Sequence, residues 1–158
     1  MDDLVQVNRR IAKHWFGTMN ADHEDYLRHA SVCLGQFTHS AAELTGFLAC
    51  AKHEHRNSLP VARLNRQYLR FARLAAKDVA ADKFEMLTRL GITLEQVEVL
   101  GNLPNLALNR LAFGCNGPII RFAASAFKRG VALHVRAARS GPDNRVLAHG
   151  TTTCLNFE

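Results

Sequence analysis

Residues 60–77 read PVARLNRQYLRFARLAAK, and this stretch decides the fold. Pro60 stands where prolines open helices, at a position whose backbone N–H has no helical acceptor to lose. Leu64, Tyr68, Phe71 and Ala75 then recur at spacings of 4, 3 and 4, the repeat of a helix–helix seam. The pattern predicts a long helix from Pro60 to about Arg89, with Gly91 as its stop. A second face of the same helix carries Arg63, Arg66, Arg70, Arg73 and Lys77, spaced 3, 4, 3 and 4. Neighbouring like charges on a helix cost a few tenths of a kcal/mol per pair. A solvated face tolerates that cost; a face that meets DNA phosphates or an acidic protein surface has it relieved.

Working outward, the helical pattern continues on both sides. Leu4, Val7, Ile11 and Trp15 share one face of a helix from about Leu4 to Phe16, which Gly17 ends. A second helix is expected from about Asp22 to Phe37, with Tyr26, Ala30, Cys33 and Phe37 on one side. Ser40 and Glu43 form a capping box that opens a third, with Leu44, Phe47, Leu48 and Ala51 as its apolar stripe. Downstream, Thr93 and Gln96 form a second capping box, and Pro104 opens a helix carrying Leu108, Leu111 and Ala112. Gly114, Gly117 and Pro118 break the chain, and Ile119 to Lys128 reads as one more helix. Beyond Gly130 the pattern weakens: Val131, Leu133 and Val135 alternate, Ser140 to Asn144 is a turn, and the end is either a short β-hairpin or a mobile tail. The fold class is all-α. The organisation expected is an N-terminal helical extension (1–58), a helical core (59–128) and a basic C-terminal tail (129–158).

The chain has 158 residues, 47% of them hydrophobic, with a net charge of +6. That charge is uneven: residues 1–58 hold six basic and seven acidic side chains, residues 59–158 fourteen and seven. Within 110–145, Arg110, Arg121, Lys128, Arg129, Arg136, Arg139 and Arg145 face a single acid, Asp143. A basic half on a small protein suits a phosphate-bearing partner. No apolar run approaches a membrane span and the acidic start, Met1-Asp2-Asp3, is unlike a secretory signal, so a cytoplasmic protein with no membrane partner is expected.

Catalytic signatures are absent. There is no G-x-S-x-G, H-E-x-x-H, P-loop or G-x-G-x-x-G, and the acids are scattered, so the chain reads as a non-enzyme without cofactor. Four cysteines (Cys33, Cys50, Cys115, Cys154) include no C-x-x-C pair. Cys50, His53 and His55, with Cys33 and His39, could supply zinc ligands, but helical residues that are simply part of the scaffold account for them better, and no metal site is assigned. The helix–turn–helix spacing of 94–100 and 104–113 is present, but its second helix is too apolar to read base edges.

From Leu64 to Phe122 the chain resembles the FlhD family of flagellar transcription activators. Asn65, Tyr68-Leu69 and Ala72 stand at the family's spacing, Arg89-Leu90-Gly91-Ile92 matches its interhelical loop, and Glu95, Leu100, Leu103, Leu111-Ala112, Asn116 and Arg121-Phe122 follow in order. About 60 residues are covered. The cationic stripe stands where the family is largely apolar, and residues 1–58 and those from about Ser125 have no counterpart. This points to a distant relative or one from a mobile element, tied to flagellar or conjugative-transfer regulation.

The resemblance implies an intertwined helical homodimer that joins an FlhC-like zinc-binding partner, wraps double-stranded DNA and recruits RNA polymerase to promoters. It places Asn65, Tyr68, Leu69 and Ala72 in the dimer interface and Arg89 against partner or DNA. The charge pattern adds Arg63, Arg66, Arg70, Arg73, Lys77, Arg121, Lys128, Arg129, Arg136 and Arg139 as DNA-binding residues. The alternative is a helical adaptor or anti-activator that uses the same surfaces on another protein and does not bind DNA.

Overall fold

A computed structural model of the chain describes residues 2–49, 56–77 and 90–140. Among the described residues the chain is mostly helical: α1 (Asp2–Phe16), α2 (Ala21–His29), α3 (Ala41–Ala49), α4 (Leu59–Lys77), α5 (Leu94–Gly101), α6 (Asn105–Gly114) and α7 (Ala124–Ser140). Two short strands, β1 (Gly35–Phe37) and β2 (Ile120–Phe122), pair antiparallel. No described helix is long and apolar enough to cross a membrane. The chain divides into two compact units. One joins residues 1–35 to 122–158, and the other is residues 36–121. α7 therefore belongs with α1 and α2.

The 36–121 unit is built on α4, which packs against α5 and α6, with α3 beside them. Its interior holds Leu44, Leu64, Tyr68, Leu69, Leu100, Leu108, Leu111 and Ile119, all essentially fully buried. Each such side chain contributes roughly 1.5–3 kcal/mol by leaving water. The capping boxes form as read. Ser40 N–H donates to Glu43 Oε2 at 2.7 Å, and Glu43 N–H donates to Ser40 Oγ at 3.2 Å. The Ser40 backbone N–H, then its hydroxyl, hold the Glu43 carboxyl below its usual value. Thr93 and Gln96 make the same reciprocal pair at 2.7 and 3.3 Å.

The buried stripe of α4 is not quite the one its leucines suggest. Ala62, Leu64, Asn65, Tyr68, Leu69 and Ala72 face inward, while Phe71 and Ala75 are only partly covered. Asn65 is inside because the loop after α6 requires it. Its Nδ2 donates to Gly117 O at 3.1 Å and Ala112 O at 3.3 Å, and its Oδ1 accepts from Ile119 N–H at 3.0 Å. Asn57 holds the same loop, donating to Ala112 O at 2.9 Å and accepting from Gly117 N–H at 2.8 Å. Gly117 turns at φ +90°, which a side chain would strain.

The other unit packs α2 against both α1 and α7. Asn8 of α1 is fully buried and pins the segment after α2, donating to Val32 O and accepting from Leu34 N–H, both at 2.8 Å. Trp15, Phe16, Phe122 and Phe127 form an aromatic cluster with ring centroids 5.4–5.7 Å apart. Tyr26 lies edge-on to Phe127 and covers Gly130 so closely that a Cβ there would sit 2.5 Å from the phenol oxygen.

Three expected elements change. The second helix stops at His29, because Ala30 turns extended (ψ 121°) and the chain continues into β1. Residues 120–122 form a strand rather than the start of a helix. Val131, Leu133 and Val135 lie within α7, not in a hairpin, since Phe127, Gly130, Val131, His134 and Ala137 make one buried helical stripe. The extension of the fourth helix to Arg89 and the tail from 141 lie outside the described residues.

Candidate nucleic-acid interface

In the 36–121 unit, α4 contains five cations and no acid. Its buried face is committed to α5 and α6, so the remaining face points outward. Arg63, Arg66, Arg70 and Lys77 are exposed. Among the described residues no carboxylate pairs with any of them. Arg73 departs from the set. It is half-buried, its Nη1 donates to Leu103 O at 2.9 Å, and its Nε is buried without a hydrogen-bond partner. Arg73 therefore ties α4 to the α5–α6 turn rather than extending the outward row. Two large apolar side chains share this outward side: Leu59, 53% exposed, and Leu74, 59%. Arg121 is exposed on β2 and donates to Gln36 Oε1 at 3.2 Å.

A second cationic face lies on α7 in the other unit. Lys128, Arg129, Arg136 and Arg139 are exposed, and the helix has no acid. The ammonium of Lys128 lies over the Phe16 ring, with Nζ 5.7 Å from its centroid. Arg89, expected against partner or DNA, lies outside the described residues.

The residues that the resemblance places in a dimer interface lie inside the single chain. Asn65, Tyr68, Leu69 and Ala72 are each 0% exposed within a single chain. Tyr68 donates to Leu90 O at 3.1 Å and stacks on Phe37, and Asn65 is bonded to the loop after α6. Their partners are supplied within the chain, so these side chains belong to the core of the 36–121 unit.

The cysteine and pocket chemistry is sparse. Burial pushes the Cys33 thiol up to about 12, and burial also raises that of Cys115 despite hydrogen bonds from Asn57 and Asn65. Neither is poised as a thiolate ligand or nucleophile. Cys50, His53 and His55 lie outside the described residues. An open cleft of about 570 Å³ is lined by Thr45, Leu48, Glu98, Val99, Leu103 and Ala107, among others. Its lining is mostly apolar, with Glu98 its one titratable side chain.

Comparison with protein-family models, curated proteins and solved structures finds no match.

Proposed function

We propose that the chain is a regulatory subunit that binds the phosphate backbone of double-stranded DNA through its cationic helix faces. The observation that carries this reading is α4, with four outward cations over four helical turns and no acid within the helix itself. From Arg63 to Lys77 the row spans about 21 Å at 1.5 Å per residue. A duplex presents roughly a dozen phosphates over that length. Contacts of this kind fix position rather than sequence, so specificity has to come from DNA shape or from a partner. The FlhD-like pattern from Leu64 to Phe122 supports transcription activation as the context. It names a second copy, an FlhC-like zinc protein and RNA polymerase as partners.

The test is fluorescence anisotropy of a labelled duplex titrated with the full chain at several salt concentrations. Four phosphate contacts give a slope of log K against log salt of about −3.6. Arg66→Gln and Arg70→Gln should each reduce its magnitude by about one. A second reading is favoured by Leu59 and Leu74, which put apolar groups at both ends of the cationic row, as an acidic amphipathic helix of a protein partner would need. Salt-sensitive capture of such a helix, with no duplex binding at low salt, would replace the DNA reading by the adaptor.

A further inference from the structure

We propose that Asp25, His29 and His134 form a three-ligand site for a divalent transition-metal ion of the zinc class, with a fourth position open to solvent. The site lies wholly within the α1–α2–α7 unit and is independent of the DNA reading. Asp25 and His29 are four residues apart on α2, which places them on one face a single turn apart. His134 comes from the buried stripe of α7. One potential ligand atom from each residue lies within 4.8 Å of the other two. Zinc at about 2.0–2.1 Å from each donor needs donors near 3.3–3.5 Å apart in a tetrahedron. Side-chain rotations have to draw the widest pair in by up to about 1.5 Å and open the Asp25–His134 pair, now 2.7 Å apart, so that its hydrogen bond gives way to the metal.

The surroundings orient the ligands. His134 Nε2 already faces Asp25 Oδ2 at 2.7 Å. The His134 ring is held edge-on to Tyr26 and lies beside His29, with centroids 6.0 and 5.4 Å away. His29 Nδ1 lies 2.8 Å from the Asp25 carbonyl oxygen, which can only accept, so Nδ1 carries the proton. That bond selects the tautomer whose Nε2 holds the lone pair, the usual arrangement behind a metal-bound imidazole. Gly130, one turn before His134, lets α7 approach α2 at Tyr26, and this close approach brings the third ligand within reach.

The donor set selects the metal. Two imidazoles and one carboxylate suit zinc, cobalt, nickel or copper and disfavour magnesium and calcium, which take oxygen ligands. His134 is 2% exposed while the Asp25 side chain is 41% exposed and His29 is exposed. The ion would be sheltered on the α7 side and hydrated on the other. Bound there, it cross-links α2 to α7.

The test uses the full chain, stripped with chelator and titrated with zinc chloride by calorimetry, and with cobalt chloride by visible absorption. One zinc per chain is expected. With zinc at a hundredfold excess over Kd, the melting temperature should rise by about 5–10 °C. His29→Ala, at an exposed position, and Asp25→Asn should each weaken binding at least tenfold, whereas Cys50→Ser and His53→Ala should not. Proton NMR of the wild-type chain provides a readout free of folding effects: zinc should move the ring signals of His29 and His134 among the eight histidines. Absence of zinc binding, or binding of unchanged affinity in both His29→Ala and Asp25→Asn, overturns the proposal. Unmoved His29 and His134 signals at saturating zinc also overturn it.

Discussion

Gly130→Ala and Gly46→Ala are the same chemical change in two helix interiors, and the structure gives them opposite signs. Alanine is the better helix former by about 0.8–1.0 kcal/mol, so propensity alone favours both substitutions. At Gly46 on α3 a Cβ would meet nothing within 4 Å, and the gain should be realised in full. At Gly130 on α7 a Cβ would lie 2.5 Å from Tyr26 Oη, 2.7 Å from Cζ and 3.1 Å from Cε2. Carbon atoms at rest stay about 3.5–4.0 Å apart, so the overlap with the ring is near 1 Å. Tyr26 cannot swing away freely: it is 2% exposed and wedged between Phe127 and His134. Overpacking of this kind costs about 1–3 kcal/mol, which exceeds the propensity gain. Gly130→Ala should therefore lose up to about 2 kcal/mol net and melt up to about 8 °C lower. Gly46→Ala should melt about 2–4 °C higher. Urea unfolding with unchanged m-values measures both. In a double-mutant cycle, Tyr26→Leu should recover part of the Gly130→Ala loss, because it removes the ring atoms in the way. If both alanine variants gain stability equally, α2 and α7 do not meet through Tyr26 and Gly130, and the packing described is wrong.

Two further outcomes follow from buried polar groups. Asn65→Ala strands the Ile119 N–H and opens a small void, so a loss of about 2–4 kcal/mol is expected in urea unfolding. Asn57→Ala acts on the same loop from a half-buried position and should cost less, and a variant with both changes should deviate from additivity. Cys33, with its thiol pushed up from 9.0 to about 12 by burial, should resist thiol reagents until the chain unfolds. Its linkage has a definite sign. Above pH 9 the unfolded chain releases this proton while the folded chain keeps it, so stability falls as pH rises from 9 towards 12. Cys33→Ala should remove that part of the alkaline slope, and an unchanged slope would show that the thiol is not buried in the folded chain.

The punctuation of the helices was legible residue by residue. The Ser40–Glu43 and Thr93–Gln96 boxes, the opening at Pro104 and the stop at Gly17, with its φ of +73°, all depend on groups within about four residues of one another. Local chemistry of this kind survives whatever the rest of the chain does. The exposed row Arg63, Arg66, Arg70 and Lys77 was legible for the same reason, since helical periodicity alone puts these side chains on one face.

The tertiary structure decided everything that joins remote segments. Sequence periodicity offered the stripe Leu64, Tyr68, Phe71 and Ala75 on α4, and only the packing of α5 and α6 turned the face containing Asn65 inward. Asn65 looks like a family signature in the sequence; in the fold it is a staple for a loop about fifty residues away. Arg73 was indistinguishable from its neighbours until the Leu103 carbonyl drew it inward. The strands at 35–37 and 120–122 were hidden because three residues carry almost no periodic signal, and their pairing comes from the chain's return. The Asp25–His29–His134 cluster was hidden for a similar reason. His134 is 109 residues from Asp25, and the helical pair Asp25 and His29 has no distinguishing mark without it. The sequence by itself determined the helix ends that local capping groups mark, and which faces are charged. Which apolar face is buried, and which polar groups meet, is a matter of contacts between distant segments that no local pattern encodes.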